Sequence, residues 1–112
     1  MTRIVPPERC KSMAEVREGV DATDRELVEL LERRFGYMRT AARIKQNRSA
    51  VRDEERKAAV IAAVAERARA ASLPDEIIAE LWDRLVEASI AYEFEEWDRL
   101  RARPIGPACQ GS

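Results

Sequence analysis

The chain has 112 residues, 37% charged and 46% hydrophobic, with a net charge of −1, four Gly and five Pro. This length suits one domain, the Ala-, Glu-, Arg- and Leu-rich composition suits helices with salt-bridged outer faces, and the interleaved charges leave no basic stripe for nucleic acid. No apolar run approaches the roughly 20 residues that span a bilayer, no apolar segment of signal-peptide type opens the chain, so a cytoplasmic location is expected, and the absence of His excludes His-based triads, His general bases and His-ligated zinc.

Residues 1–11 read as a flexible N-terminal arm, in which Pro6-Pro7 excludes helix. Ser12-Met13-Ala14-Glu15 has the form of a capping box and opens a helical domain over 12–102. Val16, Val20, Thr23, Leu27, Leu30, Leu31, Arg34, Met38, Ala41 and Lys45 recur at three- and four-residue steps, which predicts one long helix to about Lys45. Gly19 and Gly36 weaken it slightly. Residues 46–52 break the periodicity and read as a loop able to move as a lid. Asp53 can cap a second helix with a narrow stripe of Val60, Ala63, Val64 and Ala68, ending near Ala71. Pro74 suits the first turn of a third helix, from about Asp75 to Leu100, with a stripe of Ile78, Leu81, Trp82, Leu85, Ser89, Glu93 and Trp97. Residues 103–112 read as a disordered tail.

The expected fold is therefore all-α, three helices in the order long, medium, long. The first helix outreaches the other two, and its overhang predicts an intertwined helical homodimer; an open monomer would leave Leu27 and Leu30 wet.

Several polar side chains fall where apolar ones are expected. Arg34 and Lys45 are eleven positions apart, three turns plus about 20°, and so share the apolar side of the first helix. Such cations either run their stems along apolar surface to water or meet an anion between the helices. Ser89 and Glu93, at i and i+4, stack on one face of the third helix, and Arg56 lies in the first turn of the second. One reading of this set is a buried ion pair, Glu93 with Arg34 or with Lys45. The other is a polar pocket for a small anionic ligand. Arg17 lies about 260° around the helix from Arg34 and is either a solvated charge or a visitor to a neighbouring subunit's pocket. Cys10 and Cys109 form no CxxC and no metal-ligand spacing. Neither metal nor other cofactor is expected, which leaves Arg, Lys, carboxylates and hydroxyls to do any chemistry.

The pattern Val16-Arg17-Glu18-x-x-Asp21-x-x-Asp24-x-x-Leu27-Val28-x-Leu30-Leu31-x-Arg33-Arg34, followed by Ala42-x-x-Lys45, Val51-Arg52-Asp53-x-x-Arg56 and Ser89-x-x-x-Glu93, resembles the all-helical chorismate mutases over roughly residues 12–100. Within that superfamily, Pro7-Glu8-Arg9-Cys10 and the aromatic stretch 92–97 are most similar to isochorismate-pyruvate lyases and the mutase-like proteins grouped with them.

The resemblance implies a homodimer with composite active sites and a small dicarboxylate substrate, chorismate or isochorismate. Arg17 of one subunit and Arg34 of the other would clamp the two carboxylates. Lys45 would donate to the ether oxygen and a carboxylate, Asp53 would accept from the ring hydroxyl, Arg56 and Ser89 would add carboxylate contacts, and Glu93 would complete the hydrogen bonding of the ether oxygen. The implied reaction is pericyclic and needs only a held conformer and stabilised charge. Two departures stand out. Glu93 occupies a position where many family members have Gln, so it must carry a proton to donate, and activity should rise toward acidic pH. Lys57 stands where the mutase pattern often has Glu. The Asp53, Arg56 and Ser89 set favours a mutase, the N-terminal and aromatic features favour a lyase, and a non-catalytic helical dimer binding a small carboxylate is the reading outside enzymology.

Overall fold

The computed structural model describes residues 4–102, so the tail expected at 103–112 and the first three residues of the arm lie outside it. Among the described residues there are three α-helices and no strands: α1 (Met13–Ile44), α2 (Glu54–Ala70) and α3 (Asp75–Arg101). Their lengths of 32, 17 and 27 residues follow the expected long, medium, long order. No described helix is long and apolar enough to cross a membrane. The chain divides into two compact units, one ending at Gly36 and one beginning at Tyr37.

In the first unit, Ser12 caps α1 as its sequence implies: the Glu15 amide donates to Ser12 Oγ at 3.2 Å. The reciprocal contact is shifted by one residue, since Glu15 Oε1 accepts from the Lys11 amide at 2.6 Å rather than from Ser12. The arm departs from expectation more clearly. Residues Pro7–Arg9 form a 3-10 turn, closed by the Arg9 amide on Pro6 O at 3.0 Å. Pro7 sits at the first position of this turn, where its fixed φ fits and its missing N–H is not needed. The Pro-Pro step thus forbids a continuing α-helix but not a single turn. The segment lies along the start of α1, with Val5 O and Ile4 Cγ2 about van der Waals distance from the Gly19 face. Between them is an apolar cavity of about 410 Å³, lined by Ile4, Val5, Pro7, Cys10, Val16 and Val20 among others.

In the second unit, α2 packs on α3 around Val51, Val86 and Ile90, with Val60, Trp82, Phe94 and Trp97 against them. Asp53 caps α2 as expected, its Oδ1 accepting from the Arg56 amide at 3.0 Å. The helix ends in a Schellman arrangement: Leu73 N reaches Ala68 O at 2.8 Å and Ser72 N reaches Arg69 O at 3.0 Å. Ser72 takes the left-handed position, φ 60°, that glycine usually fills. The core face of α3 runs through Trp82, Val86, Ser89, Ile90, Glu93 and Trp97, so Val86 and Ile90 join the stripe and Leu81, 56% exposed, leaves it. Leu81 is one residue, about 100°, off the row that faces α2. Ala63 is likewise exposed on α2.

Candidate active site

Five of the seven residues singled out by the sequence belong to the unit that starts at Tyr37. Lys45 follows the last residue of α1, Asp53 and Arg56 open α2, and Ser89 and Glu93 lie one turn apart on α3. The other two, Arg17 and Arg34, lie on α1 in the unit that ends at Gly36; Arg17 is exposed and Arg34 half-buried.

Lys45 and Glu93 come together. Lys45 Nζ lies 2.8 Å from Glu93 Oε2, and the carboxylate is almost fully enclosed while the ammonium is partly open. Of the two ion pairs the sequence leaves open for Glu93, the one with Lys45 is present. The approach is off the line of a hydrogen bond, so the buried Oε2 is balanced by charge while its hydrogen-bonding capacity stays unused. Ser89, equally buried, donates from Oγ to Leu85 O at 2.7 Å, the back-bond to the preceding turn that a helical Ser commonly makes. A cation, a hydroxyl and a carboxyl are therefore gathered where α3 faces the end of α1. Asp53 and Arg56 are exposed at the start of α2, with one Asp53 oxygen occupied by the cap.

The segment 46–52 is held rather than loose. Arg48–Ala50 form a 3-10 turn, and Val51 inserts into the core at 3% exposure. Arg48 makes a two-pronged contact with Asp98, at 2.8 and 3.1 Å, while its guanidinium lies 4.5 Å from the Phe94 ring centre. Arg52 does the same with Glu87 at 2.7 and 3.2 Å and also reaches Glu54. Asn47 and Ser49 left open whether this segment moves as a lid; its anchors come from α3, more than thirty residues away in sequence.

Lys57 belongs to the same charged network. Its Nζ lies 2.6 Å from Glu87 and 3.1 Å from Asp83. Hydrogen bonds from Arg52 first and Lys57 second hold the Glu87 carboxyl down at about 2. Arg48 lowers Asp98 in the same way, and both lysine and arginine partners are raised by these acids.

Two residues outside the seven also touch this region, Trp97 of the α3 stripe and Arg101. Trp97 Nε1 donates to Lys45 O at 3.0 Å, and Arg101 Nη2 donates to the same oxygen at 2.7 Å. Neither carries a local pattern that names a partner on α1. Among the described residues no three His, Cys, Asp or Glu side chains come together as metal ligands would.

The family model described as chorismate mutase type II matches residues 16–94. The chain is also 30% identical over 95 residues to the isochorismate pyruvate lyase of Pseudomonas aeruginosa, across 85% of this chain and 94% of that protein. The match spans α2 and most of α1 and α3, including all seven residues considered above, and the chain belongs to the chorismate mutase type II family.

Proposed function

We propose that this protein is a chorismate mutase that rearranges chorismate to prephenate, with Lys45, Glu93 and Arg34 at the reacting centre and Arg17, Asp53, Arg56 and Ser89 holding the substrate. The single observation that supports it best is the buried Lys45–Glu93 pair beside Ser89. Breaking the ether bond as the carbon–carbon bond forms puts negative charge on the ether oxygen. A cation fixed in a water-poor site stabilises that charge with little reorganisation. Lys45 meets that need. Glu93 adds a second donor once it carries a proton; ionised, it would oppose the developing charge and keep Lys45 for itself. The two arginines are carried by the family resemblance, as a clamp that keeps the enolpyruvyl chain folded over the ring.

Similarity to an isochorismate pyruvate lyase along nearly its whole length supports a second reaction in the same pocket, giving salicylate and pyruvate from isochorismate. It asks for the same clamp and the same charge at the ether oxygen.

The active unit is a homodimer with composite sites. Its support is the face of α1 that carries Leu27, Leu30 and Leu31, 50%, 50% and 37% exposed in the single chain. So much apolar surface is unusual on a soluble monomer. Arg34→Ala tests the enzyme reading. Loss of turnover in a folded dimer, seen by sedimentation and circular dichroism, supports it; full turnover removes Arg34 from the reacting centre, and no turnover in the parent with only the dimer lost supports a non-catalytic scaffold.

A further inference from the structure

The end of α1 poses a local problem. An α-helix leaves its last four carbonyls without partners, and these are usually met by a glycine-based cap. The residues after Ile44 are Lys45, Gln46, Asn47 and Arg48, with no glycine. The Lys45 amide closes on Ala41 O at 2.9 Å. The carbonyls of Ala42, Arg43 and Lys45 are met from α3 instead. Arg101 Nη1 donates to Ala42 O at 3.0 Å, and Nη2 donates to Lys45 O at 2.7 Å and to Arg43 O at 3.4 Å. Trp97 Nε1 donates to Lys45 O at 3.0 Å, so that one carbonyl takes two donors. The Arg101 guanidinium rests 4.1 Å from the Trp97 ring centre, which fixes its plane. A cation at this place also meets the negative end of the α1 dipole.

Glu93, Trp97 and Arg101 are spaced by four residues and so form one row along α3. That row grips Lys45 at both ends: Trp97 and Arg101 hold its carbonyl, and Glu93 meets its ammonium. We infer that Arg101 is a positioning residue for Lys45, setting the backbone from which the ammonium reaches the reacting atoms. Arg101 lies two turns from Glu93, about 12 Å along the helix axis, and acts through the backbone rather than on the substrate. The inference rests on the reading of Lys45 as the cation of the reacting centre. It also explains why the segment after Lys45 is ordered: Arg48 is anchored to Asp98 and Phe94 on the same stretch of α3.

The test compares Arg101→Met and Arg101→Lys with Arg69→Met in the full-length protein. Arg69 pairs with Glu66 and Asp75 at the end of α2, so its loss perturbs a helix end without touching Lys45. Two readouts are taken: steady-state kinetics on chorismate and on isochorismate, and amide hydrogen exchange at Lys45, Ala50 and Val51, whose N–H groups close the α1 end and the following turn. Arg101→Met should lower kcat roughly ten- to hundred-fold with KM within about twofold, as expected for a misplaced group rather than a lost binding contact. Exchange at the three amides should speed up at least about tenfold. Arg101→Lys, which keeps one donor for Lys45 O, should fall between, and Arg69→Met should leave both readouts near the parent. If Arg101→Met fails to fold, Arg101→Lys carries the comparison. Unchanged kcat in folded Arg101→Met, or a loss equalled by Arg69→Met, overturns the inference. A parent that turns over neither substrate defeats the functional reading, while the exchange data then decide by themselves whether Arg101 holds the Lys45 backbone; unchanged exchange rejects that role.

Discussion

Lys45 Nζ and Glu93 Oε2 lie 2.8 Å apart, joining the end of α1 to the middle of α3 through a carboxylate with only 5% of its side chain exposed. The residue proposed to stabilise a developing anion is thus already paired with an anion of the protein. Substrate must take Lys45 over, and Glu93 is then left facing an ether oxygen that repels it unless it gains a proton. Turnover should therefore rise from neutral toward mildly acidic pH. Glu93→Gln, which donates at any pH, should flatten the profile and match or exceed the parent at neutral pH. A parent profile that is flat, or one that keeps its slope in Glu93→Gln, removes Glu93 from the reacting centre.

Asp53 has two tasks to separate. Its Oδ1 caps α2 through the Arg56 amide at 3.0 Å, and the family resemblance gives it the substrate's ring hydroxyl. Asp53→Ala should cost about 1 kcal/mol of stability in urea unfolding and raise KM. Asp53→Asn keeps an accepting oxygen for the cap, so it should restore stability to within a few tenths of a kcal/mol of the parent and recover part of the KM. An Ala variant with raised KM and unchanged stability would mean the cap is inert.

The acid limb of stability should run through Glu87. Its carboxyl is lowered from 4.5 to about 2, chiefly by Arg52 and then by Lys57. A group depressed in the folded state adds stability that is fully present above its unfolded value and disappears as pH falls through the folded value. Glu87→Gln should therefore be less stable than the parent above about pH 5, and the gap should close between 4.5 and 2. Because the group is partly exposed, added salt should narrow the gap at neutral pH. Chemical unfolding of both proteins across this range checks it; a gap that does not depend on pH contradicts it.

Ser72 holds the left-handed position of the α2 cap with φ 60°, where a side chain is strained and glycine is not. Its amide still serves the cap, donating to Arg69 O, and glycine keeps that bond. Ser72→Gly should stabilise the protein by about 0.5–1 kcal/mol, net of the freedom glycine adds to the unfolded chain. Thermal and urea midpoints measure this directly, and a lower midpoint would show that the strain is illusory.

The helices were legible because their ends are written locally: Ser12, Asp53 and Pro74 each mark a start through their own side chain or ring. The Lys45–Glu93 pairing was legible for a similar reason. Glu93 and Lys45 are polar residues inside apolar periodicity, and burial forces such groups to find each other or a ligand. What sequence did not carry is the choice among distant partners. Leu81 and Val86 are equally apolar, and only the direction of α2 decides which of them is buried. Arg48, Arg52 and Arg101 look like ordinary surface cations, yet each finds α3 or the end of α1 across 50, 35 and 59 residues respectively. The 3-10 turn at Pro7–Arg9 was hidden by a rule that concerns longer helices.

Product analysis tests the account most directly: purified protein is given chorismate and isochorismate in separate reactions at neutral and mildly acidic pH. Prephenate from chorismate, formed faster at the lower pH, is the result this account predicts, and salicylate with pyruvate from isochorismate would add the second reaction to the same pocket. Salicylate and pyruvate with no prephenate would replace the mutase assignment by the lyase. No product from either substrate, from a folded dimer, would contradict the catalytic reading altogether.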